Sequence, residues 1–246
     1  MLPPQQNRRV NPAKNPRMKI KERVQAIIRK LEEAYPNAHC ELEFETAFQL
    51  LVATILSAQC TDKRVNIVTR VLFQKYRTPQ DFAEVSQNEL ENAIKTTGFY
   101  RNKARNLRAM AKDLARLHQG EVPRSLSELI KLAGVGRKTA NVVLGNVFSL
   151  NEGIVVDTHV ARLANRFEFT SKEDPEKIEQ DLIRLIPRRR WTSFSHWLIW
   201  HGRRRCFARN PDCLNCEVGP VCPSFGKFAK QGAKSEGPSR KKAIAK

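Results

Sequence analysis

Residues 125–148 read Ser-Leu-Ser-Glu-Leu-Ile-Lys-Leu-Ala-Gly-Val-Gly-Arg-Lys-Thr-Ala-Asn-Val-Val-Leu-Gly-Asn-Val-Phe. Leu126, Leu129, Ile130 and Ala133 recur at helical spacing before Gly134-Val135-Gly136. Ala140, Val143, Leu144 and Val147 recur so after it. The pattern is two amphipathic helices joined by a very short hairpin. Glycine at both ends of the hairpin permits positive φ and the close approach of another backbone. The second helix opens directly from the turn, so its first N–H groups and the positive end of its dipole face outward. That arrangement suits a phosphate. An ordinary helical hairpin with a glycine stop fits the same letters. At 100° per residue, Lys138 points almost opposite the buried stripe of the second helix. It is a solvated surface lysine or a group presented to a ligand.

Helical signals extend through most of the chain. Ile20, Val24, Ile27, Ile28, Leu31 and Tyr35 form one stripe, and residues 46–58 are nearly all apolar. Thr61 or Asp62 can cap a helix carrying Val65, Val68, Val71 and Leu72. Ser86 with Glu89 reads as a capping box for a helix to about residue 95. Further helices are expected over 101–118, from Ser125, and over about 137–148, 158–167, 175–186 and 193–201. There is no convincing strand pair, so the class is all-α with about ten helices. Asp157, in Val156-Asp157-Thr158-His159, immediately precedes an amphipathic run and reads most simply as its N-cap.

The 246 residues carry 44 Lys and Arg against 25 Asp and Glu, a net charge of +19. Residues 1–21 hold six basic residues, four prolines and no acid, and residues 226–246 hold seven basic residues and one acid. Residues 22–225 therefore keep +7. A basic folded part points to a polyanionic partner, because each neutralised phosphate releases counterions. The two tails (1–17 and 226–246) have the composition of disordered segments. The whole chain is 41% apolar, enough for an ordinary core. No apolar run approaches the ~20 residues of a membrane span, and there is no secretory signal. The expectation is a soluble, intracellular, monomeric protein without a membrane partner.

Four of the six cysteines, Cys206, Cys213, Cys216 and Cys222, fall in a 17-residue window spaced C-x6-C-x2-C-x5-C, entered through Arg203-Arg204-Arg205. Four thiols so close imply a metal centre. Zinc is one reading, but zinc sites usually pair cysteines two to four residues apart, and only Cys213 and Cys216 are so placed. All-thiolate ligation without histidine suits an iron–sulfur cluster. Cys40 and Cys60 stand apart. The nearby Phe194, Trp197, Leu198 and His201 share a helical face and are expected in the core.

Taken together, Leu56-Ser57-Ala58-Gln59-Cys60-Thr61-Asp62, Gly98-Phe99-Tyr100-Arg101-Asn102-Lys103-Ala104, Leu132-Ala133-Gly134-Val135-Gly136-Arg137-Lys138-Thr139-Ala140, Val156-Asp157-Thr158-His159 and the cysteine loop resemble the endonuclease III family of helix-hairpin-helix DNA glycosylases. The resemblance covers about residues 18–225. It implies a two-lobed helical fold that binds duplex DNA containing damaged bases or abasic sites. One lobe would be residues 41–150, ending in the hairpin 125–148. The other would join 18–40 to 151–225 around a [4Fe–4S] cluster held by Cys206, Cys213, Cys216 and Cys222. The resemblance makes Lys138 the nucleophile and Asp157 the catalytic carboxylate. Gln59 and Phe99 would enter the duplex beside the extruded nucleotide, with Gly134, Gly136, Arg137 and His159 as further DNA contacts. Many relatives carry Leu where Phe99 stands. The implied activity is base-excision repair of oxidised pyrimidines such as thymine glycol, with lyase cleavage through a lysine Schiff base. Bringing a lysine from its usual pKa of ~10.4 to a useful ~7–8 costs roughly 4 kcal/mol; a helix N-terminus and a neighbouring arginine push the right way. A non-catalytic DNA-binding or electron-transfer protein with this fold would need neither Lys138 nor Asp157 together.

Overall fold

Every regular element among the described residues is helical. The computed structural model describes residues 18–232. They fall into two compact units: one joins the described residues up to Ala38 with Val156–Pro187 and those from Ser193 onward, the other takes His39–Val155 with Arg188–Thr192.

The first unit begins with α1 (Ile20–Ala34), which buries Val24, Ile27, Ile28 and Leu31. The second unit is built from seven helices. In α2 (Ala47–Leu56), buried on almost all sides, Thr46 caps the N-terminus by accepting from Gln49 N–H. α3 (Asp62–Lys75) is capped by Thr61 and buries Val65, Val68 and Leu72; Val71, expected on the same stripe, is 68% exposed. α4 (Pro79–Glu84) has a reciprocal capping box, Thr78 with Asp81, and places Phe82 in the core. α5 (Gln87–Ile94) is capped by Ser86 alone. The expected box does not close there, because the Glu89 carboxylate turns to the Tyr76 hydroxyl at 2.7 Å and to Lys75. A 3₁₀ turn over Lys95–Thr97 leads to α6 (Tyr100–Leu117), whose buried face is Ala104, Leu107, Met110, Ala111 and Leu114. α7 is only Leu126–Leu129. The helix expected through Ala133 stops early. Ser125 makes its hydroxyl bond to Ser127 rather than to the helix, and tight turns take over from Leu129. α8 (Arg137–Val147) then buries Ala140, Val143 and Leu144. These apolar faces form one core with α2 at its centre.

The first unit resumes with α9 (Thr158–Arg166) and α10 (Pro175–Leu185), capped by Asp157 and Asp174. α11 (Trp191–Arg204) presents Phe194, Trp197, Leu198 and His201 to the core, as its spacing predicts. The last described element, α12 (Phe225–Gly232), corrects the expectation of disorder from residue 226. Composition hid two aromatic anchors: Phe225 lies over Gly219 and the Phe228 ring takes the Arg166 guanidinium at 4.5 Å. The tails, residues 1–17 and 233–246, lie outside the described residues. No helix among the described residues is long and apolar enough to cross a membrane.

Candidate active site and metal centre

The hairpin needs only one of its two glycines for shape. Gly134 has φ +76, and a Cβ there would meet the Asn106 side chain at 2.9 Å. Both conformation and space demand glycine. Gly136, by contrast, is extended at φ −87 and ψ 174, and a Cβ would meet nothing within 4 Å. It is the N-cap of α8, and no side chain caps that helix. The first turn of α8 therefore offers its N–H groups without a competing side-chain acceptor, the condition an anion requires. Arg137 and Lys138 are exposed on this turn, and Lys138 faces away from the buried stripe.

Gln59 and Phe99 belong to the same unit. Both are exposed and both hold a left-handed backbone, φ 53 and φ 48. For residues other than glycine this costs on the order of 1–3 kcal/mol each, so the surroundings must enforce it. Gln59 sits in a turn closed by Cys60 N–H to Ser57 O at 3.0 Å. Phe99 follows Gly98, itself at φ 70, and starts α6. An apolar ring 64% exposed at a strained loop tip is not there for packing.

In the other unit, Asp157 is the N-cap its position suggested: Oδ1 accepts from Val160 N–H at 2.8 Å. The residue stays half-exposed. His159, two residues on, is half-buried, with Nδ1 3.1 Å from Arg162 Nη2. Gly202 of α11 must be glycine for this packing, since a Cβ would reach His159 Nδ1 at 2.8 Å. Burial pulls the His159 pKa down, against the opposing pull of Asp157. That face of the ring is part of the α9–α11 seam.

Two arginines that sequence reading missed hold the cysteine loop. Arg162 donates to Gly202 O at 3.1 Å and Cys206 O at 3.0 Å. Arg166 donates to Cys206 Sγ at 3.1 Å, Phe207 O at 2.7 Å and Ala208 O at 2.9 Å. Their i, i+4 spacing on one face of α9 was the available signal. The arginines entering the loop are less open than their run suggested. Arg205 is paired with Asp212 at 2.6 Å and Glu217 at 3.1 Å, and Arg204 lies 3.9 Å over Trp200.

Among the described residues, no three His, Cys, Asp or Glu side chains converge tightly enough to hold a metal ion. The four thiols are nevertheless neighbours. Burial first, then repulsion from Cys222 and Cys206, pushes the Cys216 thiol up to about 12. Cys222 is pushed up to about 11 by burial, with Cys206 and Cys213 adding to it. Burial and Cys206 likewise raise Cys213. Against this, backbone N–H groups of Val218 and Ser224 donate to Cys216 and Cys222 and favour their thiolates. Neighbouring thiols in one loop, with backbone N–H donors aimed at two of the sulfurs, are a donor set that an iron–sulfur cluster can use. His201, fully buried, lies 3.6 Å from Cys216 Sγ through Nε2 and 3.0 Å from the Tyr35 hydroxyl through Nδ1. Burial holds its pKa down to about 4, so the ring is neutral.

Residues 52–188 match the family model described as HhH-GPD superfamily base excision DNA repair protein. The Endonuclease III of Synechocystis sp. is 48% identical over 204 residues, spanning 83% of this chain and 93% of that one. A solved non-covalent Endonuclease III–DNA complex superposes with a TM-score of 0.82 at 42% identity, covering 87% of this chain and all 100% of the other. A trapped Endonuclease III–DNA covalent intermediate gives 0.81 at 43% identity, covering 85% and 99%.

Proposed function

The chain belongs to the HhH-GPD superfamily of base excision DNA repair proteins, and from that premise we propose that it is a bifunctional DNA glycosylase and abasic-site lyase acting on oxidised pyrimidines such as thymine glycol. Its relatives of similar length are Endonuclease III enzymes, solved both bound to DNA and covalently trapped on it. A damaged base inside a duplex is out of reach until its nucleotide is extruded. The open first turn of α8, with Gly136 bare and no side-chain cap, supports a backbone grip on a DNA phosphate. The exposed tips Gln59 and Phe99 support entry into the stack.

Lys138 supplies the nucleophile. Its neutral amine attacks C1′ of the deoxyribose, and the bond from C1′ to the base breaks with the base leaving protonated. The sugar opens to a Schiff base with the lysine. Loss of a 2′ proton then drives β-elimination and breaks the C3′–O bond. Asp157 stabilises positive charge on the sugar and moves protons. Its half-exposed carboxylate keeps capacity for this beyond the one bond it accepts from Val160. The observation that carries the reading is Lys138 itself: a lysine in the exposed, uncapped first turn after a glycine hairpin, inside the matched region.

Cys206, Cys213, Cys216 and Cys222 would hold a [4Fe–4S] cluster. When bound, the cluster ties the loop together by taking up the four crowded thiolates. Arg162 and Arg166 anchor that loop to α9 independently. Iron and acid-labile sulfide at about four of each per chain are expected; zinc in their place would replace this assignment.

Borohydride reduction in the presence of a thymine-glycol duplex is expected to give a covalent protein–DNA adduct that Lys138→Ala abolishes. An adduct that persists in the variant assigns the nucleophile elsewhere.

A further inference from the structure

Six residues other than glycine take positive φ among the described residues. Three of them end helices in the usual way. After Gln119, Ser149 and Glu168, the next N–H returns to the preceding helix: Gly120 to Leu114 O, Leu150 to Leu144 O and Phe169 to Ala164 O. Of the other three, Asn210 lies in the cysteine loop, and Gln59 and Phe99 end no helix by such a bond. Something else holds them, and the two segments that lead to them share one partner.

That partner is Lys103, on the first turns of α6. It is 5% exposed. Its ammonium donates to Leu56 O at 2.8 Å and to Thr97 O at 2.8 Å. Leu56 is the last residue of α2, three before Gln59. Thr97 is the last residue of the 3₁₀ turn, two before Phe99. One cation thus joins two carbonyls at helix ends, where the negative pole of each helix lies. Burial lowers the pKa of Lys103, so the ammonium is costly to keep there. An apolar chain of similar volume would fill the same space without that cost. What an apolar chain cannot do is hold two backbone carbonyls at one distance from a common point.

We propose that Lys103 is a positioning residue that fixes the spacing and direction of Gln59 and Phe99, so that both tips enter a duplex as one rigid device. This rests on the reading of Gln59 and Phe99 as the duplex-entering pair. The device serves base extrusion. It is idle on a nucleotide that is already unpaired, where only the chemistry at the sugar remains.

The test compares two substrates with wild type, Lys103→Met and Lys103→Arg. One is a duplex carrying thymine glycol, with 2-aminopurine beside the orphaned base to report unstacking by fluorescence. The other is a single strand carrying an abasic site. Lys103→Met is expected to lose at least thirtyfold in turnover on the duplex together with the fluorescence rise, and to stay within threefold on the single strand. Lys103→Arg, which keeps two donors on a cation, is expected to recover most of the duplex rate. Equal losses on both substrates would mean a merely structural lysine and overturn the proposal; so would an unchanged duplex rate with normal fluorescence. If Lys103→Met loses its helical circular dichroism, Lys103→Gln is read instead. A duplex-to-single-strand rate ratio lowered tenfold or more supports the proposal, and an unchanged ratio overturns it. A wild-type protein that cleaves the single strand but never raises the 2-aminopurine signal overturns the reading of the two tips, and this proposal with it. Wild type inactive on both substrates removes the glycosylase–lyase assignment itself.

Discussion

At the residue scale the hairpin separates two uses of glycine. Gly134 is required by its φ of +76 and by Asn106, so Gly134→Ala is expected to destabilise the protein by about 2 kcal/mol in urea unfolding. Gly136 sits extended in open space, so Gly136→Ala is expected to leave stability within about 1 kcal/mol while weakening duplex binding measured by anisotropy. A stable Gly136→Ala protein with full affinity would remove the phosphate site from the first turn of α8. Asp157 admits the same kind of separation. Asparagine is as good an N-cap as aspartate, so Asp157→Asn should keep α9 and the melting temperature while turnover falls about 100-fold, the usual weight of a proton-transfer group. Near-normal borohydride trapping by this variant would leave Asp157 as a cap only. The spacing in the sequence made Asp157 legible as a cap. Nothing local distinguishes a cap that also does chemistry, because both need the same half-exposed carboxylate at a helix start.

At the element scale the seam between α9 and α11 is expected to be acid-sensitive. Burial depresses the pKa of His159 in the folded chain below its ordinary 6.5. As pH falls through 6.5 the unfolded chain takes up a proton that the folded chain resists, so stability is lost on acidification and is fully present above that pH. The slope from this one group cannot exceed about 1.4 kcal/mol per pH unit. Urea midpoints between pH 7 and pH 5 should fall less steeply in His159→Gln than in wild type; parallel slopes would show that the ring is protonated equally in both states. The helices themselves were mostly readable, since α1, α3, α6, α8 and α9 carry apolar residues at helical spacing. The misses have separate causes. α4 is six residues long and too short for periodicity, α7 gives way to tight turns after Leu129, and the box at Ser86 fails because Glu89 is drawn to Tyr76 and Lys75 across the fold.

At the scale of the whole molecule, the basic charge sets how the protein meets DNA. Residues 22–225 carry +7 and the remainder carries the other +12 of net charge. Removing residues 1–17 and 233–246 is expected to lower nonspecific affinity and flatten the dependence of log K on log salt, because fewer counterions are released. An unchanged slope would mean that the tails do not touch phosphate. What the sequence determined unaided is what nearest neighbours along the chain decide. These are the helical class, the glycine hairpin that opens α8, the outward Lys138, the cap at Asp157, and the spacing of four thiols in one loop. What only the tertiary structure decided depends on partners far apart in sequence. Lys103 shares the stripe of Leu107, Met110 and Leu114, but its partners, Leu56 O and Thr97 O, come only from α2 and the turn before Phe99. Arg162 and Arg166 read as surface charge until the cysteine loop, some 40 residues on, offers its carbonyls. The left-handed bends at Gln59 and Phe99 have no local signature, because a side chain is held there only by surroundings that outweigh its own preference.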